Sequence, residues 1–331
     1  MGKICRIMKT FYLGLELPSP VIVASSPWTA HADTIERCAA EGAGAVVLKS
    51  IFEEQILHQA ASMADPAVPT TDAGEYLERY LDDAYRAEHL RLIERVRRAG
   101  IPIIASLNCI GEASSWVDYA ADIERAGADA LELNIFLQPT DRDLSAAEVE
   151  RSYAGIVKAV TEAVAIPVSV KLPMRLTNFL HLADALLARG ARGVVLFNRF
   201  FEPDIDVERM VFTPGDPYSQ PTELRNVLRS AALAVRALPQ LDVAVTTGVH
   251  DGEAVVKSLL AGACAVEVCT AIHRSGFEAI GRMNRYLDGW AERHGFGRIE
   301  EFRARMDYGD SDDPLAQRRQ YMRFFPGREN F

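Results

Sequence analysis

LARGARGVVLFN, residues 187–198, contains a helix end, a glycine stop and a short run that is apolar on both faces. Gly190 supplies the left-handed conformation that ends helices. The unbroken Val-Val-Leu-Phe run describes a strand buried on both sides, as in a parallel sheet covered by helices. The same unit recurs as AAEGAGAVVLKS (39–50), RRAGIPIIASLN (97–108), ERAGADALELN (124–134), AVAIPVSVKL (163–172), ALPQLDVAVTTG (237–248) and LAGACAVEVCT (260–270). With VIVAS (21–25) the units supply eight strands. Eight strand–helix units close into a (β/α)8 TIM barrel, an α/β fold in a single domain. A doubly wound open sheet is the alternative. It is weakened by the absence of GxGxxG after an early strand and by the evenness of the repeat.

Strand ends fall near Ala24, Lys49, Leu107, Asn134, Lys171, Phe197, Thr247 and Val268. Most intervals are close to the roughly 30 residues per unit of a ~250-residue barrel, but Lys49 to Leu107 spans 58 residues and Phe197 to Thr247 spans 50. Both excesses, residues 51–83 and 199–220, follow the C-terminal end of a strand, where barrel enzymes build their sites. Two long loops over one mouth imply an enclosed substrate. Ser145 with Glu148 forms a capping box, Gly42, Gly100, Gly127 and Gly190 stand where helices stop, and Pro102 and Pro167 open strands. The barrel is expected over residues 9–296. Residues 297–331, with the amphipathic IEEFRARM and the aromatic YMRFF, form a short C-terminal extension packed on the barrel or on a dimer partner.

The composition excludes several classes. With 331 residues, 49% hydrophobic and 25% charged, the chain is neither disordered, collagenous nor a disulfide scaffold. A net charge of −10 argues against a nucleic-acid partner, which needs a basic face. No apolar run approaches the roughly 18–20 residues of a membrane span, and the first residues lack a signal-peptide core. Five cysteines (5, 38, 109, 264 and 269) without CxxC or Cys/His spacing read as reduced thiols in a cytoplasmic protein, not as a metal site. His31, His58, His250 and His273 share no spacing and are assigned to no metal. The expected partners are a small-molecule substrate and a second copy in a homodimer.

Of 36 basic residues only six are lysines (3, 9, 49, 158, 171 and 257), leaving 30 arginines. Lys49 and Lys171 fall at equivalent strand ends, where a compact ammonium approaches a ring or phosphate more closely than a guanidinium fork. A Schiff-base amine and a fixed cation facing an anionic cofactor are both open readings; snorkelling at the barrel rim explains either lysine alone. Asn134 and Asn198 project into the same mouth and suit a planar polar substrate or a flavin edge, or cap their loops.

TTGVHDG follows strand seven and CTAIHRSG strand eight, the loops that often build a barrel's phosphate site. Gly248 permits close backbone approach, and the Cys269 and Thr270 amides with the Thr270 hydroxyl can donate. Ala24 and Ser25 offer a flat surface after strand one. Cys109 reaches the rim after strand three, as a nucleophile or base or as a small buried thiol.

On these residues the chain resembles the dihydroorotate dehydrogenase family, in its soluble class 1-like branch, from about Lys9 to Phe302. LGLELPSPVIVASS, GAGAVVLKS, ADALELN, IPVSVKLP, GVVLFNRF, TTGVHDGEAVVKSLLAGACAVEV and CTAIHRSG carry the likeness, and KSIFEEQI, ALELNIF and VLFNRF place it nearest the dihydroorotate dehydrogenase-like proteins. The resemblance implies FMN at the barrel mouth. Ala24 and Ser25 would lie under the isoalloxazine, Lys49 and Ser50 contact its ring, Asn134 and Lys171 reach ring and ribityl atoms, and Gly248, Cys269 and Thr270 hold the phosphate. Lys171 and Lys49 would be the charged groups of the catalytic site, and Asn134 and Asn198 would contact substrate. The implied reaction is oxidation of a CH–CH bond, dihydroorotate to orotate in pyrimidine biosynthesis, or the same step on a related small cyclic molecule.

Two motifs depart from the family. Its Cys or Ser base stands in an NLSCPN-like loop, but NIFLQPTD (134–141) puts Leu137 or Phe136 there, and neither can take a proton. The NxxGLxN substrate loop is replaced by TTDAGEYLERYLDDAY (70–85). Loss of a general base costs on the order of 10²- to 10⁴-fold in rate. Thr140, Asp141 and Cys109 are candidate substitutes away from the matched position. A flavin-binding barrel without dihydroorotate turnover, in a regulatory or partner role, is therefore the alternative, and a flavin-free barrel using Lys171 as a Schiff-base amine is a further one.

Overall fold

The computed structural model describes residues 8–52, 71–108, 113–135, 137, 140–199 and 202–306; of residues 51, 52 and 71–83 it describes the backbone. An antiparallel hairpin, β1 (Thr10–Tyr12) and β2 (Leu15–Leu17), precedes β3 (Val21–Val23). Helix α1 (Ala32–Ala40) leads to β4 (Ala45–Val47), the two-residue β5 (Ile51–Phe52) and the long α2 (Thr71–Val96). The alternation continues through β6 (Ile103–Asn108), α3 (Ala113–Ala126), β7 (Ala130–Leu133), α4 (Ala146–Ala163), β8 (Val168–Pro173), α5 (Phe179–Leu187) and β9 (Gly193–Asn198). A second hairpin, β10 (Pro203–Asp206) and β11 (Val211–Pro214), comes before α6 (Leu224–Ala237) and β12 (Asp242–Val245). Helix α7 (Gly252–Leu260), β13 (Ala265–Val268), α8 (Thr270–Ser275) and α9 (Glu278–His294) follow.

Strands β3, β4, β6, β7, β8, β9, β12 and β13 pair in parallel in that order, and β13 pairs back onto β3. The fold is the (β/α)8 barrel that the repeat implies. Gly42, Gly100, Gly127 and Gly190 all have positive φ, between 78° and 94°, where their helices or turns end. Ser145 caps α4, with Glu148 reciprocating. The Pro102 and Pro167 carbonyls accept from Val46 and Leu131, so each proline opens a strand without giving up a ladder donor its neighbour needs.

Because side chains alternate along a strand, every second residue enters the barrel. Ile22, Ala45, Val47, Ile104, Ala130, Val195, Ala244 and Ala265 form one buried cluster with Tyr12, Leu13 and Leu17 of the first hairpin. That hairpin plugs the N-terminal end of the barrel. It is fixed there by the Leu13 N–H donating to Asp242 Oδ2 at 2.8 Å and the Thr10 hydroxyl donating to the Cys264 carbonyl at 2.8 Å. The intervening strand residues face outward and join the larger core under the helices.

The two long excursions are not simple loops. Residues 51–83, expected as a loop, begin with β5 and end inside α2, since the Leu-, Glu- and Arg-rich stretch from Thr71 has no proline and favours helix. The excursion over residues 199–220 contains the β10–β11 hairpin, which exposes Ile205, Val211 and Phe212, the last at 76%. After α9, Ile299 and Phe302 are fully buried, and the Ala304 and Met306 N–H groups donate to the Leu259 and Leu260 carbonyls at the end of α7. No helix among the described residues is long and apolar enough to cross a membrane.

Candidate active site

Above the apolar layer the inward positions turn polar. On β7 and just beyond, the order is Ala130, Glu132, Asn134; on β8, Ser169 then Lys171; on β13 and just beyond, Ala265, Glu267, Cys269. A buried middle layer results. The Lys171 ammonium lies 2.8 Å from Glu267 Oε2 and 3.4 Å from Glu132 Oε1. Lys171 is 8% exposed and each glutamate 1%. Burial by itself would lower the Lys171 ammonium, but the two carboxylates outweigh it and the group is held above its ordinary value, so it is a cation throughout the neutral range. The Glu132 carboxyl is pushed well up, by burial first and by the Glu267 charge second, with Lys171 opposing. One cation facing two carboxylates in a dry layer leaves one excess negative charge, and a proton retained on Glu132 removes it.

The mouth opens over this layer. A cavity of about 160 Å3 is lined by Ala24, Ser25, Lys171, Asn198, Gly248, Glu267, Cys269 and Thr270 among others. Asn198 Nδ2 donates to Asn134 Oδ1 at 2.8 Å, so the two amides are one fixed pair. The Ser50 N–H donates to Ser25 Oγ at 2.9 Å, and the Ser50 and Ser106 hydroxyls are 2.7 Å apart, joining the first three barrel strands across their ends. Lys49 is partly buried in the same rim, and burial lowers its ammonium. Burial pushes the Cys269 thiol up, against the pull of Lys171 and Lys49, so this cysteine stays protonated at neutral pH and is a donor rather than a nucleophile.

Gly248 has φ +81°, and a Cβ there would stand 2.4 Å from the Leu224 nitrogen, so the turn between β12 and α7 requires glycine. The Ser219 N–H and hydroxyl each lie 3.3 Å from Thr270 Oγ1, and Ser219 Oγ is 3.0 Å from His250 Nε2. The second excursion therefore folds down onto the two loops read as a phosphate site. Arg199, also lining the cavity, is held by Glu223 at 3.3 Å and by the Asp216 carbonyl at 2.9 Å.

Among the alternative bases, Thr140 and Asp141 are exposed, and Asp141 is turned to the Asp143 N–H at 2.9 Å. Leu137 is 40% exposed. Cys109 and Phe136 lie outside the described residues.

A family model described as "Dihydroorotate dehydrogenase" matches residues 7–289. The chain belongs to the dihydroorotate dehydrogenase family. It is 26% identical to the dihydroorotate dehydrogenase B (NAD(+)) catalytic subunit of Methanothermobacter thermautotrophicus, over 89% of this chain and 97% of the relative. A putative dihydroorotate dehydrogenase A (fumarate) of Aeropyrum pernix is 30% identical over 66% of this chain and 71% of the relative. The chloroplastic dihydropyrimidine dehydrogenase (NADP(+)) of Arabidopsis thaliana is 23% identical over 92% and 78%. Within the dihydroorotate dehydrogenase family frame, sequence reasoning missed Glu132, Glu267, Ser219 and Arg199. The two glutamates were detectable, because a charge two residues before Asn134 and before Cys269 must point into the barrel as they do. Ser219 and Arg199 had no such signal.

Proposed function

We propose that the protein is an FMN-dependent oxidoreductase that acts on a CH–CH bond of a small cyclic polar substrate, dihydroorotate or a related reduced pyrimidine. The observation that carries the proposal is the buried Lys171 cation lining the mouth of a barrel of this family. The residues present fit a flavin: a compact cation at the floor of the mouth, a fixed pair of amides, and a glycine turn beside Thr270 at its edge. When bound, FMN supplies a hydride acceptor that becomes negatively charged on reduction.

This chain's side chains then have separable tasks. Lys171 places positive charge where negative charge develops, and it costs no reorganisation because Glu267 and Glu132 already fix it. The Asn134–Asn198 pair offers the remaining amide donor and acceptor to a planar substrate. Gly248 lets the backbone approach a phosphate, with the Thr270 hydroxyl, whose oxygen faces the Ser219 donors, free to give its own proton. Ala24 and Ser25 form the flat wall, Ser50 braces Ser25, and Lys49 adds a second cation at the rim. The excursion carrying Ser219 covers one side of the mouth and limits water.

The family's base position, which falls at Leu137 or Phe136, favours the second reading, a flavin-binding barrel that does not turn over dihydroorotate. One experiment separates the two: an anaerobic flavin spectrum titrated with dihydroorotate and then with a panel of reduced pyrimidines. Rapid bleaching by dihydroorotate supports the named reaction. Bleaching only by another reduced pyrimidine moves the substrate, and no bleaching by any of them leaves the non-catalytic reading. Failure to take up FMN at all refutes both.

A further inference from the structure

The Lys171 ammonium is shared unequally. Glu267 approaches to 2.8 Å from β13, whereas Glu132 stands at 3.4 Å on the adjacent strand β7. Strands β13 and β8 are separated by β12 and β9 in the sheet, so the Lys171–Glu267 contact crosses the barrel interior. Glu267 also lines the cavity beside Lys171, and its second oxygen, Oε1, is buried without a hydrogen-bond partner. A carboxylate so placed does two things to its cation. It restricts the ammonium to one position, and it cancels part of the field that the ammonium projects into the mouth.

Resting on the flavin reading above, we propose that Glu267 is a positioning residue: it grips Lys171 across the barrel and offsets its charge, lowering the electron affinity of a flavin bound in the mouth. Lys171 then acts as a partly neutralised cation, strong enough to favour reduction and weak enough to let the electrons leave again. Glu132 is the lesser arm, being farther from the ammonium.

The test uses the full chain loaded with FMN. The flavin is equilibrated anaerobically with a redox dye, and the reduced-to-oxidised ratio is read at a fixed potential for the wild type, Glu267→Gln and Glu132→Gln. Removing the Glu267 charge this close to Lys171 is expected to raise that ratio about tenfold in Glu267→Gln, whereas Glu132→Gln, which replaces a carboxyl that keeps its proton, is expected to change it less than about threefold. FMN affinity and far-ultraviolet circular dichroism, measured on the same samples, are expected to match the wild type. A ratio unchanged or lowered in a folded, FMN-loaded Glu267→Gln overturns the proposal and leaves the flavin reading intact. Absence of FMN uptake by the wild type overturns both. If Glu267→Gln does not fold, Glu267→Asp is read instead. It keeps the charge but withdraws it from Lys171, so a raised ratio supports the proposal and an unchanged one refutes it.

Discussion

Replacing Lys171 by methionine isolates the energetic consequence of the buried layer. Methionine nearly matches the volume of the lysine stem but leaves Glu132 and Glu267, each 1% exposed, with no cation between them. Removing one partner of a buried ion pair costs about 3–5 kcal/mol. For a urea dependence of about 3 kcal/mol per molar, the upper end of the small-protein range, the unfolding midpoint falls by about 1 M or more at neutral pH. The deficit has a predicted pH dependence. Glu132 is raised in the folded state by burial and by Glu267, with Lys171 opposing; without Lys171 it is raised further. A carboxyl raised on folding contributes stability that is complete below its unfolded value and lost as pH rises through its folded value. The gap between variant and wild type therefore narrows as pH falls toward the ordinary carboxyl value of 4.5 and widens above it. The assay is urea unfolding followed by circular dichroism at several pH values. A midpoint within about 0.3 M of wild type at neutral pH, less than about 1 kcal/mol, or a deficit that grows on acidification, refutes the buried-charge account.

In the same variant, loaded with FMN, the rate of flavin reduction is expected to fall more than FMN affinity, because the Lys171 contact strengthens only as charge develops; stopped-flow reduction and a binding titration compare the two, and equal losses would make Lys171 a binding residue alone. Gly248→Ala forces a Cβ to 2.4 Å from the Leu224 nitrogen at φ +81°, so it is expected to destabilise the fold by about 1–3 kcal/mol and to weaken FMN binding in a fluorescence titration; wild-type affinity would remove Gly248 from the phosphate site. The Tyr153 hydroxyl, its titration pushed up to about 12 by burial, donates to the Ile135 carbonyl just beyond β7. Tyr153→Phe strands that buried carbonyl and should cost about 1–2 kcal/mol in chemical denaturation; an unchanged midpoint would show that the carbonyl finds another donor.

Much of this molecule is legible in short windows of sequence. VIVAS and GVVLFN are two-sided apolar runs, LEL and VSVKLP keep apolar residues on the helix-facing side, and the glycines before or after them punctuate helices, so eight parallel strands and their closure follow from local periodicity. The strand ends read from sequence lie within two residues of those observed, because the polar residues that end each strand are themselves the mouth. Lys171, Asn134, Asn198 and Gly248 could be placed at that mouth for the same reason. The excursions were less legible: Thr71–Val96 carries strong helix formers but falls where the spacing alone suggests a loop, and the β10–β11 pairing depends on contacts between residues that no period links.

The sequence by itself determined the barrel, the strand ends that form its mouth and the scarcity of lysine that singles out Lys171 there. The tertiary structure alone decided what that cation touches. Glu132 is 39 residues from Lys171 and Glu267 is 96, and no local pattern specifies which inward-facing side chains meet once the sheet closes. Closure sets strand tilt and stagger, and these bring one ammonium and two carboxylates into a single layer where, without water, their charges must be balanced against one another.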